Sequence, residues 1–181
     1  LLKLMINSVY SEKEVFVREL VSNASDACDK LRYLANTKEK VMQDDPNLKV
    51  EININKKDGK ISFIDNGIGM NRKDLINNLG TIARSGTAQF LKELKDSKTK
   101  DLSLIGQFGV GFYSAFMVSS EIHVTTRRAG EKKVWIWKSD GESEFSIMEN
   151  SSMRLLSGAW SWPLGAVVAE ESGERQPRPT P

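Results

Sequence analysis

Apolar residues recur at Leu1, Leu2, Met5, Ile6 and Val9, the spacing of one helix face, before Asn7, Ser8 and Tyr10 interrupt the pattern. Ser11-Glu12-Lys13-Glu14 then reads as a capping box, with the Ser11 hydroxyl on the third helical N–H and Glu14 reaching back, so a long helix is expected to begin there. At about 100° per residue, Val17, Leu20, Ala24, Ala27 and Leu31 gather on one side, while Glu19, Asn23, Asp26 and Lys30 fall within roughly 60° of one another on a different side. One face packs and the other is free for chemistry. Polar stripes are usually solvated surface. Here, however, Asn23-Ala24-Ser25-Asp26 uses small residues and short polar groups that are mediocre helix formers and suit a ligand approaching closely.

A polar stretch over residues 36–48 contains the loop signal Asp44-Asp45-Pro46-Asn47, and strands follow. Val50, Ile52 and Ile54 alternate with Glu51, Asn53 and Asn55, and Lys57-Asp58-Gly59 makes a tight turn. Ile61, Phe63 and Asp65 then share one face of the return strand. A carboxylate on the side of two core residues is costly unless donors meet it. Either the turn at Asn66-Gly67 satisfies Asp65, or a ligand does, and adenine fits because its exocyclic amine donates to a carboxylate while its faces need apolar cover.

Beyond Met70 the pattern predicts a short helix over residues 72–79, then a segment punctuated by Gly80, Gly86, Gly106, Gly109 and Gly111. Within it lie a weaker amphipathic helix over 87–95 and a charged loop over 96–101. Glycines at both ends of such a stretch suit a hinge, so residues of about 80–111 read as a lid. Gly106-Gln107-Phe108-Gly109-Val110-Gly111-Phe112 leads into a helical 113–118, and successive N–H groups in a glycine loop at a helix start form an anion cradle. It is neither a Walker A loop, lacking Gly-Lys-Ser/Thr, nor a dinucleotide fingerprint, which would follow a first strand. Strands are expected at 122–127, 134–138 and 144–147, with a turn at Ala129-Gly130-Glu131. Trp135 and Trp137 share a face, which suits sheet packing better than base stacking.

The 181 residues, 39% of them hydrophobic, suffice for one soluble domain with a real core, or one domain and a tail. A net charge of +2 asks for neither nucleic acid nor an anionic membrane. No apolar run reaches the length of a membrane span. A lone Cys28 cannot form an internal disulfide and reads as core filler, which fits a reducing compartment. A lone His123, in an alternating strand, lacks the partners that zinc hydrolysis or serine-protease chemistry requires. After Asn150 lysine disappears, four of the five prolines accumulate, and no period is visible. Residues 150–181 are therefore expected to be an unrelated, disordered tail, and 1–149 the working domain.

The segments 10–27, Asp65-Asn66-Gly67-Ile68-Gly69-Met70, 77–87 (Asn-Asn-Leu-Gly-Thr-Ile-Ala-Arg-Ser-Gly-Thr) and 105–114 (Ile-Gly-Gln-Phe-Gly-Val-Gly-Phe-Tyr-Ser) closely resemble the N-terminal ATPase domain of the heat-shock protein 90 chaperones, of bacterial or mitochondrial type. The resemblance spans residues of about 1–149. The wider gyrase, histidine kinase and MutL superfamily shares the Glu/Asn helix and the Asp-x-Gly-x-Gly element, but not the 106–114 string. It implies an α+β, two-layer α/β sandwich with a mixed, mostly antiparallel sheet, helices on one face and ATP under a lid. By this resemblance Glu19 is the general base that activates water, Asn23 holds Mg²⁺, and Asp26 and Lys30 line the entrance. Asp65 takes the adenine amine, Gly69 permits close approach, Met70 covers the base, and Asn78 faces the sugar and α-phosphate. Gly109, Val110, Gly111 and Phe112 cradle phosphate. Arg84, counted with Glu19 as catalytic, stands with Ser85 at the lid hinge, and Leu79, Gly86, Gln107 and Phe108 complete the nucleotide contacts.

The same resemblance implies unfolded client proteins as partners, a homodimer formed through regions absent here, and the cytoplasm for a bacterial type or the mitochondrial matrix for a mitochondrial one. Two family features have no counterpart in the pattern: a final strand bearing a threonine at the adenine end, and the middle-domain arginine that stabilises charge on the γ-phosphate. Weakened nucleotide affinity and very slow hydrolysis are therefore expected of this chain alone. The competing expectation is a nonproductive nucleotide- or protein-binding fragment without chaperone turnover. A kinase-type relative is disfavoured by the missing acceptor domain.

Overall fold

The computed structural model describes residues 6, 10–37, 41, 46–80, 110–141, 145–150 and 165–171. A 21-residue helix, α1 (Val15–Ala35), precedes the hairpin β1 (Val50–Asn55) and β2 (Lys60–Asp65). One turn of helix, α2 (Arg72–Leu75), runs into a π-helical turn, Ile76–Gly80. After a 3₁₀ helix, Val110–Met117, come β3 (Ser119–Arg127), β4 (Val134–Ser139), β5 (Ser146–Glu149) and β6 (Gly165–Glu171). The six strands form one sheet in the order β1-β2-β6-β3-β4-β5, and among the described residues every pairing is antiparallel.

The position of β6 corrects the expectation of a structureless tail over that stretch. Gly165–Glu171 lies in the middle of the sheet, with Gly165 opposite Asp65 on β2 and opposite Thr126 on β3. Gly-Ala-Val-Val-Ala is short, apolar and partly β-branched, which suits a strand paired on both edges. The surrounding compositional shift masked that signal. The remainder of 151–181 lies outside the described residues, as do positions 81–109 of the expected lid (about 80–111) and all of the expected first helix except Ile6.

Helix α1 starts differently from the expectation. Glu14 is its N-cap in helical conformation and makes no side-chain cap, and the entering turn is closed by backbone bonds from Phe16 N–H to the Lys13 carbonyl (3.2 Å) and from Val17 N–H to the Glu14 carbonyl (3.1 Å). The capping box sits instead at α2, where Asn71 Oδ1 accepts from Asp74 N–H at 3.0 Å and Asp74 Oδ2 accepts from Asn71 N–H at 3.1 Å. The buried stripe of α1 is Phe16, Leu20, Ala24, Cys28 and Leu31, one residue off the expected set at two places. Val17 and Ala27 are half-buried: Val17 packs at the edge of the core, and Ala27 lies against the 67–68 loop. Cys28 is core, as its apolar character suggests.

Trp137, fully buried, anchors the other end of the core. Its ring meets Phe112 edge-on at 5.6 Å and stacks on Phe145 at 6.2 Å. Trp135 is half-buried and packs against the same cluster, so the tryptophan pair is sheet packing. His123 is a half-buried β3 residue, its Nε2 3.0 Å from a Glu121 carboxylate oxygen. The alternation in β1 does not translate into burial: Ile52 and Ile54 are 44% and 66% exposed, as an outermost strand permits.

Candidate functional site

The loop from Asp65 to Met70 is held from two sides. On one side it docks on α1: Ile68 N–H donates to the Ala27 carbonyl at 2.9 Å, and Gly67 lies so close that a Cβ there would stand 2.6 Å from Cys28 N. Glycine at 67 therefore serves the approach of loop to helix. Gly69 takes the left-handed conformation, φ 59°, that other residues resist. On the other side the end of β3 grips the loop. Thr126 Oγ accepts from Met70 N–H at 3.0 Å, and Ala129 N–H donates to the Ile68 carbonyl at 2.9 Å. Arg128 donates to Asp74 Oδ2 at 3.2 Å and to the Gly69 carbonyl at 3.5 Å. Asn66 is buried and fastens the preceding chain, accepting from Lys49 N–H at 2.7 Å and donating to the Asn47 carbonyl at 2.8 Å.

Asp65 ends β2 beneath this loop. Its Oδ1 accepts from Gly67 N–H at 2.9 Å, so it does cap its own turn. That bond is the one hydrogen bond described to the carboxylate, and it does not offset burial: desolvation pushes the carboxyl up from 3.8 to about 6, with the Gly67 N–H pulling it back. Among the described residues, this desolvated carboxylate with one oxygen engaged retains capacity to accept from a further donor.

Glu19, on the free stripe of α1, is half-buried against the backbone of the 3₁₀ helix. A Cβ on Gly111 would collide with its carboxylate, standing 3.2 Å from Cδ, so Gly111 is required for this approach. Arg18 Nη2 lies 3.5 Å from Glu19 Oε1. Buried Tyr10 stands nearby, its phenol pushed up to about 12 by desolvation first and the Glu19 charge second. Asn23, Asp26 and Lys30 continue the stripe and are exposed. Among the described residues no three His, Cys, Asp or Glu side chains converge as a metal cluster.

The expected residues fall into distinct groups. Glu19 meets Gly111, Asp65 shares its loop with Gly69 and Met70, and Asn78 Nδ2 approaches Met70 Sδ at 3.8 Å. Asn78 stands on the π turn, a geometry recurrent at functional positions. Leu79 and the Phe112 ring are core, and the Leu79 carbonyl accepts the Tyr113 hydroxyl at 2.6 Å, which ties the π turn to the 3₁₀ helix. Val110 begins that 3₁₀ helix. Arg84, Ser85, Gly86, Gln107, Phe108 and Gly109 lie outside the described residues. Thr126, Arg128 and the Asn71–Asp74 box were not singled out in the sequence, and Asn66 was read only as part of the turn after Asp65. Only the box carried a readable signal; Thr126 and Met70 are 56 positions apart.

A helix-borne carboxylate against a glycine backbone, with a desolvated aspartate at the start of a loop docked on the same helix, has the form of a nucleotide-binding ATPase site. Comparison bears this out. The family profile of histidine kinase-, DNA gyrase B-, and HSP90-like ATPases matches residues 10–155, and the chain belongs to that family. It is 58% identical over 158 residues to the chaperone protein HtpG of Rickettsia canadensis (strain McKiel), covering 87% of this chain and 25% of the relative. It is 58% identical over 172 residues to the chaperone protein HtpG of Rickettsia bellii (strain RML369-C), covering 95% of this chain and 27% of the relative. The chain thus spans about a quarter of the length of the curated relatives it matches. Among the described residues no helix is long and apolar enough to cross a membrane.

Proposed function

We propose that this chain is the ATP-binding and ATP-hydrolysing domain of a molecular chaperone that assists protein folding. The observation that carries the reading is Asp65: a carboxylate held in a low-dielectric position, with acceptor capacity to spare, on a loop braced against the catalytic helix. It accepts the exocyclic amine of adenine, and Met70 with Asn78 flanks the base and sugar. Glu19, fixed against Gly111, takes the proton of the attacking water. Mg²⁺, when bound, neutralises phosphate charge, and the Asn23 amide would hold it; the exposed stripe of short polar residues suits that role. Gly109, Val110, Gly111 and Phe112 supply phosphate donors, and Arg84 with Ser85, Gly86, Gln107 and Phe108 belongs to the lid.

Client proteins and a second protomer are the partners of the longer protein, and the bacterial relatives favour the cytoplasm. Hydrolysis by these 181 residues alone is expected to be slow. The second reading, a binding fragment without turnover, is favoured by the quarter-length match. Phosphate release and calorimetric ATP affinity, measured on the purified chain and on Glu19→Ala, separate the two. An enzyme loses release and keeps affinity; binding with no release from either protein supports the second reading, and equal, measurable release from both would remove Glu19 from the reaction.

A further inference from the structure

We infer that Arg128 is a positioning residue for base recognition, acting through the loop that carries Gly69 and Met70. The inference rests on the proposed nucleotide site. Arg128 follows β3 directly, and its guanidinium bridges two groups that no other described side chain joins: the Gly69 carbonyl at 3.5 Å and the Asp74 carboxylate at 3.2 Å. Asp74 is already committed to the N-cap of α2 through Asn71 N–H, so the arginine locks loop and helix start into one unit. The neighbouring contacts run in the same direction. Thr126 holds Met70 N–H, Ala129 holds the Ile68 carbonyl, and Glu131 Oε1 accepts from Asn71 Nδ2 at 3.0 Å.

Four consecutive loop residues, 68 to 71, are therefore gripped by the segment 126–131, more than fifty positions away. From the 126–131 side the grip comes from the Thr126, Arg128 and Glu131 side chains and the Ala129 N–H, and Arg128 adds the ionic contact to Asp74. Gly69 is the residue that most needs such a brace. Its positive φ is readily lost when the loop relaxes, and that movement would carry the Met70 cover away from the base and change the angle at which Asp65 meets it. Adenine is distinguished from guanine at this position because its amine donates to a carboxylate, whereas the guanine carbonyl would oppose it. Arg128 touches no nucleotide in this arrangement, so its loss weakens base selection and leaves the phosphate end intact.

The test uses calorimetric titration of the full 181-residue protein with ATP, GTP and adenosine, alongside thermal melts. Arg128→Met should raise the Kd of ATP and of adenosine by the same factor, about fivefold for a partly exposed charged contact. The ATP-over-GTP preference should fall, and Arg128→Lys should recover part of both. Asp74→Asn, which removes the shared partner, should reproduce the effect even if Arg128→Met does not fold. Wild-type ATP affinity and preference in a folded Arg128→Met protein, with Asp65→Asn abolishing binding, would overturn this inference alone. Unchanged binding by Asp65→Asn would overturn it together with the site. A lowered melting temperature with unaltered selectivity would reduce Arg128 to a purely structural contact and equally overturn the inference.

Discussion

Replacing Asp65 with Asn should stabilise the nucleotide-free protein at neutral pH while abolishing nucleotide binding. Burial lifts the carboxyl from 3.8 to about 6, against the opposing pull of the Gly67 N–H. The folded value lies above the unfolded one, so the native chain holds this proton more tightly. That contribution to stability is complete below about pH 4 and is lost as the pH rises through about 6, after which an ionised, poorly solvated carboxylate remains as a cost. A rise of about two units, at about 1.36 kcal/mol each, makes the cost about 3 kcal/mol at pH 7.5 and about 1 kcal/mol at pH 4.5. Asparagine keeps the shape and a carbonyl oxygen for the Gly67 N–H but accepts more weakly, which returns about 1 kcal/mol. The net expectation is a gain of about 2 kcal/mol at pH 7.5 and none at pH 4.5. Urea denaturation of both proteins at the two pH values, without nucleotide, measures it. A variant less stable than wild type at pH 7.5, or an identical gap at both pH values, would refute the reasoning.

Gly67→Ala places a methyl against the backbone of Ala27 and Cys28, so the loop must leave the helix. Denaturation should show a loss of about 1–3 kcal/mol, and calorimetry at least a tenfold weaker ATP affinity. Gly111→Ala displaces the Glu19 carboxylate, and a phosphate-release assay should find turnover lost in protein that still binds ATP. Deleting residues 165–181 removes the strand shared by β2 and β3. Circular dichroism should then show no cooperative thermal transition, whereas an unchanged melt would mean that β6 is dispensable.

The elements that could be read from the sequence were those whose local pattern and tertiary environment agree. Alternation placed β2, β3 and β4 because one face of each meets the core, and Asp65 could be singled out because its parity put charge where Ile61 and Phe63 pack. The same rule misread β1, where Ile52 and Ile54 alternate correctly but lie on the outermost strand. The expected α1 stripe included Ala27, which the 3.6-residue period allows; only the docking of Gly67 and Ile68 against it turns that position away from the sheet. Ser11 and Glu14 had the right spacing for a capping box, yet Glu14 itself adopts helical angles and the backbone closes the turn. The central strand β6 was hidden because composition was averaged over the whole of 150–181, of which Gly165–Glu171 is a short part. The grip of Thr126 and Arg128 on the loop has no local signature, since nothing in a strand end announces a partner more than fifty residues upstream.

Where the base sits decides whether Asp65 is the adenine contact. A crystal of the 181-residue protein soaked with a nonhydrolysable ATP analogue at millimolar concentration tests this directly. The adenine amine should lie within hydrogen-bonding distance of the Asp65 carboxylate, the ring beside Met70, and the phosphates should run toward Gly111 and Glu19. A nucleotide located away from the 65–70 loop, or none in a crystal with the fold intact, would contradict it.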